Sequence, residues 1–424
     1  MKNKLKRIYA SVGANIFAQA VTIIIQLASV PIILSQWSLS VYGQWLMLTA
    51  IPSYFALSDL GFLTVIVNKM TILSGQKKHE KVKSLFHSAI LLCFGVITFS
   101  LVSVSLVCFF IDNGVLNLIN NKLALIVLVM TGVLSLTSRL VDAVFRSQGE
   151  FALGAYLLQG IRILEWSLLL LGIVLFNDFL SAALLQLAGR VIGLGVVILF
   201  ASNRHKNLNW SIKDANKQDL KELIKPALSF MSFPVANAFS FQGMTICIGV
   251  IFGPAYLAIF NTYRTVSRII VQCVNVVSNS IGPELSRQFG EGNNIAINSI
   301  HSKGRIITIL SSLAVCFFLT IFGQFLLHLW VGDKIPYEAP LFYGFLTVAF
   351  LNASWQIELV YLTSLNRHMK ISLVYLFASL LMLTMLYIIG NDFGHLGPIA
   401  ALSTFELIVG YWCFKIVYAY KQKL

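Results

Sequence analysis

Residues 152–201 read ALGAYLLQGIRILEWSLLLLGIVLFNDFLSAALLQLAGRVIGLGVVILFA. Two apolar runs, 152–176 and 179–201, are separated only by Asn177 and Asp178. Each run is long enough to cross a bilayer as a helix, because about 20 residues rising ~1.5 Å each span roughly 30 Å of hydrocarbon. The stretch therefore predicts two consecutive membrane helices, and the charged residues inside them, Arg162, Glu165 and Arg190, require an explanation.

The same pattern continues through all 424 residues. Hydrophobic residues make up 57% of the chain, charged residues only 11%, and the mean hydropathy is +0.81. A soluble protein of this size could not bury so much apolar surface. We therefore predict an all-α integral membrane protein with twelve transmembrane helices, at 8–34, 41–67, 84–111, 123–145, 152–176, 179–201, 226–251, 255–281, 304–330, 338–364, 370–390 and 397–418.

Lysine and arginine occur on every second connection between these spans. Of the 31 Lys and Arg residues, 24 lie on the N-terminus, the even-numbered connections and the C-terminal tail. The opposite connections hold only Lys122 and Lys334. The positive-inside rule then predicts a multi-pass protein of the cell inner membrane with both termini in the cytoplasm. The net charge of +14 is explained by anionic membrane lipids, which attract each basic residue by ~1 kcal/mol, and does not indicate nucleic acid.

The longest polar connection predicts a division into two lobes. Residues 1–201 and 226–424 each hold six spans, and residues 202–225 link them. The linker carries Trp210 and an apolar stripe of Leu220, Leu223 and Ile224 among lysines, which fits either an amphipathic segment on the cytoplasmic face or an ordinary solvated linker. Six helices per lobe give the two lobes the same orientation, and in transporters with such parallel repeats the substrate site lies between the repeats.

Two predicted spans carry polar residues at steps of three or four, which places them along one helix face. Such a face cannot contact lipid, so it faces protein or a water-filled cavity. In the span at 255–281 two arginines favour a cavity. In the first span, interhelical hydrogen bonding and cavity lining are equal alternatives. The residues concerned are Asn15 and Gln19 in the first span, and Asn261, Arg264, Arg268, Gln272 and Asn275 in the eighth.

Apart from Arg305, Glu338, Lys370 and Lys415 near span ends, ten charged residues lie within the predicted spans. They are Arg139, Arg162, Arg190, Arg264 and Arg268, with Asp59, Asp142, Glu165, Glu358 and Glu406. The spacing of three residues predicts local pairs of Arg139 with Asp142 and of Arg162 with Glu165. The other three arginines have no carboxylate on their own helix. All five carboxylates are candidate protonation or salt-bridge sites.

An unpaired arginine near the middle of the membrane costs about 2.5–3.5 kcal/mol on insertion scales. An anionic substrate would offset this cost, because the guanidinium fork matches the oxygens of phosphates and carboxylates. The alternative is that Asp59, Glu358 and Glu406 form salt bridges to the three arginines from other helices.

Several kinds of chemistry have no motif in this chain. It contains no GxxxxGK[ST] loop, no HExxH and no GxSxG, and its six cysteines lie singly within spans. We therefore expect no catalytic residues, no cofactor and no metal site. A membrane-embedded glycosyltransferase remains an alternative, although the short connections leave little room for its active site.

Three short stretches resemble a known family. They are SDLGF at 58–62, FRSQGEF at 145–151 and LWVG at 329–332. Their order and spacing, with the twelve spans, resemble those of the Wzx-type O-antigen flippases. These form the polysaccharide-transporter branch of the superfamily that includes the MATE drug exporters.

This resemblance implies a MATE-like fold with a central cavity between two six-helix lobes. It also implies a flippase of lipopolysaccharide biosynthesis that moves an undecaprenyl-diphosphate-linked oligosaccharide to the outer leaflet by alternating access. Arg264, Arg268, Arg190 and Arg162 would bind the anionic head, and the polysaccharide polymerase machinery would be a partner. A cation-coupled multidrug exporter is the alternative, but the first span has no match to the carboxylate that many of those exporters use.

Overall fold

The structure, a computed structural model, describes residues 2–55, 61–110, 121–224, 231, 234–365, 367–390 and 392–422. It divides the chain into two compact units, Met1–Pro234 and Val235–Leu424, which we call the first and the second unit. Both units are built from long helices, as the repeated apolar runs predict.

The described helices of the first unit are α1 (Lys2–Gln36), α2 (Leu39–Phe55), α3 (Phe62–Gly75), α4 (His79–Phe110), α5 (Lys122–Ser147), α6 (Phe151–Phe176), α7 (Phe179–Arg204) and the short α8 (Lys217–Lys221). Helix α6 packs along α7, α1 packs on α6, and α5 contacts α2, α3 and α7.

The described helices of the second unit are α9 (Met244–Ile251), α10 (Pro254–Gly290), α11 (Asn294–Val331), α12 (Ala339–Ser364), α13 (Met369–Ile389) and α14 (Gly397–Lys421). Helix α10 lies against α11 and α12, and α14 packs on both α12 and α13. A π-helical turn, Phe239–Gly243, leads directly into α9 and contacts α13.

Ten helices in the described residues are long and apolar enough to cross a membrane. Two predicted spans are not among these ten helices, and each omission has an identifiable reason. The span at 41–67 corresponds to α2 and α3, which lie on either side of residues 56–60, outside the described residues. The span at 255–281 corresponds to α10, whose polar face lowers its hydropathy.

Two helices extend well beyond their predicted spans. The connection predicted as polar loop at 282–303 is mostly helix, because α10 continues to Gly290 and α11 already begins at Asn294. The turn between them uses Gly292 at a φ of 69°, a conformation that favours glycine, and the Asn293 side chain accepts a hydrogen bond from the amide of Ala296.

The surfaces of the long helices show how each unit would meet lipid. On α4, Phe94 and Phe99 are 69% and 73% exposed, and Phe317 on α11 is 69% exposed. Soluble proteins rarely expose so many large apolar side chains together. In contrast, Ile66, Phe86 and Phe145 of α3, α4 and α5 are fully buried in the core of the first unit.

The polar connection after α7 packs against the first unit. Leu208 and Leu223 are buried in its core, and the Trp210 ring meets the Phe86 ring edge-on at 5.1 Å. Ion pairs hold the connection at its middle, from Lys83 to Asp214 at 2.9 Å, and near its end, from Lys69 to Glu222 at 3.1 Å. This segment is therefore not a fully solvated linker, and the division between units falls after it, at Pro234.

The predicted orientation can be tested with single cysteines in a cysteine-free background. Ser38 and Asp333 are exposed and lie on connections that the positive-inside rule predicts outside, and Gln76 and Glu291 are exposed on connections predicted inside. We expect a membrane-impermeant thiol reagent, added to whole cells with a permeabilised outer membrane, to label S38C and D333C but not Q76C or E291C. The reverse pattern would overturn the positive-inside orientation.

Docking of the connection depends on the charge of Asp214. The hydrogen bond from Lys83 lowers the pKa of Asp214 below its ordinary value. The stabilisation is therefore complete above the ordinary carboxyl pKa of about 4 and is lost as pH falls through the lowered one. We expect Asp214→Asn to accelerate amide exchange in residues 205–216 at pH 7, measured by mass spectrometry. Unchanged exchange would show that the ion pair does not hold the segment.

Candidate functional site

A cavity of about 550 Å³ lies inside the first unit. Helices α1, α2, α5, α6 and α7 line it, and it is open rather than closed off. Its charged and amide lining consists of Arg139, Asp142, Arg162, Glu165, Gln186 and Arg190, and its aromatic lining of Tyr42, Trp45 and Trp166. The sequence predicted Arg162 and Arg190 as residues of a cavity between two lobes; in the structure both line this cavity within the first unit.

Arg190 forms a buried ion pair with Glu165. Its Nη2 lies 2.6 Å from Glu165 Oε2, and the two side chains are 17% and 9% exposed. The Gln186 amide also donates to Glu165 Oε1 at 3.1 Å, and Arg190 Nη1 donates to Ser138 Oγ at 3.3 Å. The local pair predicted between Arg162 and Glu165 is therefore wrong, because Glu165 pairs across helices.

The physical reason lies one residue away, at Gly189. A Cβ atom there would sit 2.8 Å from the Cα of Glu165, closer than atoms can pack. Glycine thus lets α7 approach α6 in direct backbone contact, as small residues do between membrane helices. This close approach brings Arg190 beside Glu165, and a sequence pattern on either helix alone does not reveal it.

The side chains of Glu165, Gln186 and Arg190 also border a second cavity. This space of about 220 Å³ is lined by Thr49, Thr131 and Ser135 and shares Glu165, Gln186 and Arg190 with the larger one. The Glu165–Arg190 pair therefore lies between the two cavities. Because the two charges compensate each other, this pair separates the cavities and does not itself bind a ligand in the larger one.

Arg162 differs from Arg190 in its partners. Its Nη1 donates to Thr22 Oγ1 on α1 at 2.7 Å. Among the described residues, no carboxylate lies within ion-pair distance of it, although it lines the cavity. A hydroxyl accepts one hydrogen bond but does not neutralise the charge. Arg162 is therefore the guanidinium of this cavity that is best able to take an anion.

The other charged residues of the cavity form different contacts from those predicted. Asp142 pairs with Arg146 one turn further along α5, at 2.7 Å, and not with Arg139. Arg139 donates to Thr64 Oγ1 of α3 at 3.0 Å. Asp59, which the sequence marks as a candidate protonation site, lies outside the described residues.

The polar stripe of α1 contributes differently from the prediction. Asn15 is exposed and Gln19 is half-buried, and neither lines the cavity. Ser29, further along α1, does line it and accepts a hydrogen bond from Trp166 Nε1 at 2.8 Å. Two residues of the stripe, Thr22 and Ser29, thus accept hydrogen bonds from α6.

In the second unit, α10 presents Arg264 and Arg268 on one face. Arg264 donates to Asn261 Oδ1 at 2.8 Å and to Thr245 Oγ1 at 3.1 Å. Both guanidiniums lie over the ring of Phe241, at 3.9 Å for Arg264 and 5.0 Å for Arg268. Further along the same face, Gln272 and Asn275 are half-buried.

The buried carboxylates of the second unit do not pair with these arginines. Glu358 is 1% exposed and contacts His301 at 2.9 Å and Arg305 at 3.6 Å. Glu406 is 7% exposed and accepts hydrogen bonds from Trp355 Nε1 at 2.8 Å and from Asn352. The alternative in which Glu358 and Glu406 neutralise the membrane arginines is therefore wrong in the described structure.

Some residues of the cavity were missed by the sequence analysis. The charge count recorded Arg139 but assigned it to a structural pair, and the aromatic residues Tyr42, Trp45 and Trp166 were not considered. One signal was present, because Trp166 follows Arg162 by four residues and so shares its helix face.

No cluster of three or more metal-ligating side chains occurs among the described residues.

Comparison with known proteins identifies the fold. No family model and no curated protein sequence matches this chain. Solved structures do. An inward-facing multidrug resistance MATE family transporter of the MOP superfamily aligns with a TM-score of 0.72 at 12% identity, over 94% of this chain and 96% of its own. An outward-facing structure of such a transporter gives a TM-score of 0.66 at 12% identity, over 98% and 97%.

A third similar structure is a MOP superfamily transporter from Pyrococcus furiosus, described as having a binding pocket of reversed polarity that suggests a different function. It aligns with a TM-score of 0.65 at 14% identity, over 98% of this chain and 96% of its own. These likenesses confirm the predicted all-α membrane fold with twelve helices in two lobes, which is that of transporters. The chain is therefore a multi-pass membrane protein with a transporter fold.

The Glu165–Arg190 pair should matter for stability because it is buried. Removing one partner of a buried pair typically costs about 3–5 kcal/mol, since the other charge is left without compensation. We expect Glu165→Gln to lower the thermal midpoint in detergent strongly. The double variant E165Q/R190Q should recover part of the loss. Equal midpoints for wild type and E165Q would contradict the pairing.

Proposed function

We propose that this protein moves a lipid-linked oligosaccharide, carried on a polyprenyl diphosphate, from the cytoplasmic to the outer leaflet of the inner membrane by alternating access. The observation that carries the proposal is the charge of the cavity in the first unit. Its described lining holds three arginines and two carboxylates; Glu165 pairs with Arg190, and Arg162 has no described carboxylate within ion-pair distance. The cavity is therefore basic at membrane depth.

A basic cavity selects against cationic substrates and for anionic ones. Excess guanidinium charge inside the membrane raises the energy of any added cation, whereas a phosphate gains charge-assisted hydrogen bonds there. Arg162 offers such bonds because its described partner is only the Thr22 hydroxyl. The tryptophan and tyrosine rings beside it provide flat apolar walls against which a sugar ring can pack.

The lipid part of the substrate needs no cavity of its own. A cavity of about 550 Å³ holds a diphosphate with one or two sugars but not a long prenyl chain. The chain would remain in the surrounding acyl region, where apolar side chains of the outer helices already face lipid. A substrate with a charged head and a lipid tail thus fits both surfaces, and this supports a flippase over a carrier of small water-soluble anions.

The second candidate is a cation-coupled multidrug exporter. The specific observation in its favour is that similar structures include multidrug MATE transporters, one of them solved with a bound ligand. In this chain both described carboxylates of the cavity pair with arginines, Glu165 with Arg190 at 2.6 Å and Asp142 with Arg146 at 2.7 Å. The similar transporter with a binding pocket of reversed polarity, described as suggesting a different function, supports the view that this fold is not limited to one function.

Complementation of a strain that lacks its own repeat-unit flippase tests the proposal. We expect Arg162→Ala to abolish surface polysaccharide and to accumulate lipid-linked repeat units in the inner leaflet, because the cavity loses its available guanidinium. Arg162→Lys should retain part of the export, since charge is kept but the bidentate fork is lost. Arg268→Ala should also block export.

Arg287→Ala is the matched control. Arg287 lies on α10, is 62% exposed and pairs with Glu284, so its loss should leave export at the wild-type level. Protein amount in the membrane is measured for each variant by immunoblot. Export at the parental rate by normally inserted R162A and R268A would refute the anion-binding role of these residues.

A further inference from the structure

The π-helical turn of the second unit aims one aromatic ring at two arginines. Phe241 lies within the turn Phe239–Gly243, and its ring centroid is 3.9 Å from the guanidinium carbon of Arg264 and 5.0 Å from that of Arg268. A π-helical turn adds one residue to a helical turn and so redirects the side chains that follow, which is why such turns are frequent at functional sites.

The two arginines use their N–H groups differently. Arg264 donates to Asn261, to Thr245 and, at 3.4 Å, to the backbone carbonyl of Phe241 itself. For Arg268, no hydrogen bond or ion pair occurs with any residue that the structure describes, and its contact is with the ring of Phe241. Arg264 is thus tied to the π-helical turn, and Arg268 is held through the ring.

This mode of contact leaves the N–H donors of Arg268 without a partner among the described residues. A guanidinium that lies over a ring uses its flat face, whereas its N–H donors point outward in its own plane. The negative face of the ring also attracts both cations, which offsets their mutual repulsion at a spacing of one helical turn. Phe241 therefore holds Arg268 in place without consuming the donors that bind an anion.

We propose that Phe241 is a positioning residue for a diphosphate-binding site in the second unit. Arg264 anchors the turn, the Phe241 ring orients Arg268, and the N–H edge of Arg268 binds the phosphate oxygens. A diphosphate is attracted by both guanidinium charges while accepting hydrogen bonds from Arg268. This inference rests on the proposed function, because it assigns part of the recognition of the anionic head to these residues.

The test uses the full-length protein in lipid nanodiscs with inorganic pyrophosphate as the probe, titrated calorimetrically at low ionic strength. Every sample, including the one called wild type below, carries Arg162→Ala, so that the anion site proposed for the first unit does not contribute. We expect Phe241→Leu to weaken binding on the order of tenfold, which corresponds to about 1.4 kcal/mol. Phe241→Tyr keeps the ring face and should bind like the wild type. Rescue by tyrosine distinguishes orientation of Arg268 from simple filling of space.

Two further variants separate packing from positioning. Phe241→Met fills a similar volume without a ring and should weaken binding as Phe241→Leu does. The methionine variant replaces the leucine variant in the test if the latter does not accumulate. Phe252→Leu is the matched control, because the Phe252 ring packs on Tyr256 at 5.2 Å, beyond the π-helical turn. It should leave pyrophosphate binding unchanged.

The outcomes distinguish this inference from the proposed function. If Arg268→Ala abolishes binding but the leucine and methionine variants of Phe241 bind like the wild type, the positioning role is overturned and the anion site stands. If the wild type does not bind pyrophosphate, or R268A binds it equally well, the anion site itself is refuted together with the inference. Loss of binding in F241L and F241M with retention in F241Y supports the positioning role.

Discussion

The cost of placing guanidinium groups at membrane depth is the constraint on which the rest of this structure depends. Each such group must be paired, hydrogen-bonded or able to bind a charged ligand, because lipid offers none of these. The described residues use all three solutions. Arg190 pairs with Glu165, Arg264 is held by polar groups and a ring, and Arg162 and Arg268 keep N–H groups that no described carboxylate occupies.

These solutions follow from how the helices approach one another. Gly189 allows α6 and α7 to touch, and this contact brings Arg190 to a carboxylate and leaves Arg162 to line the cavity. In the second unit, the π-helical turn directs Phe241 toward α10. Backbone geometry at two short segments therefore decides which arginines are neutralised and which remain able to bind an anion.

Much of the fold was predictable from the sequence, because membrane spans are set by the length and hydropathy of apolar runs. The predicted bounds agree closely for α6, whose span was placed at 152–176, and less well for α10 and α11, which extend as amphipathic helices past the apolar part. The polar connection at 202–225 was recognised by its composition. Its burial against α3 and α4 was not predictable, because it depends on tertiary contacts of Leu208, Leu223 and Trp210.

The site was predictable only as a set of residues. Counting charges within spans identified Arg162, Arg190, Arg264 and Arg268, but the pairing inferred from spacing was wrong for Glu165 and Asp142, since other arginines offered better partners. The role of Phe241 had no signal in the sequence, because a π-helical turn is not marked by composition.

Reconstituted transport tests the central claim most directly. Proteoliposomes containing the purified chain and a polyprenyl-diphosphate oligosaccharide with a fluorescent label on the sugar would be exposed to a membrane-impermeant quencher. The account predicts that wild-type protein moves label between leaflets, so that the quenched fraction changes with time relative to protein-free vesicles, and that a lipophilic cationic dye is not transported. Transport of the cationic dye with no movement of the labelled lipid would contradict it.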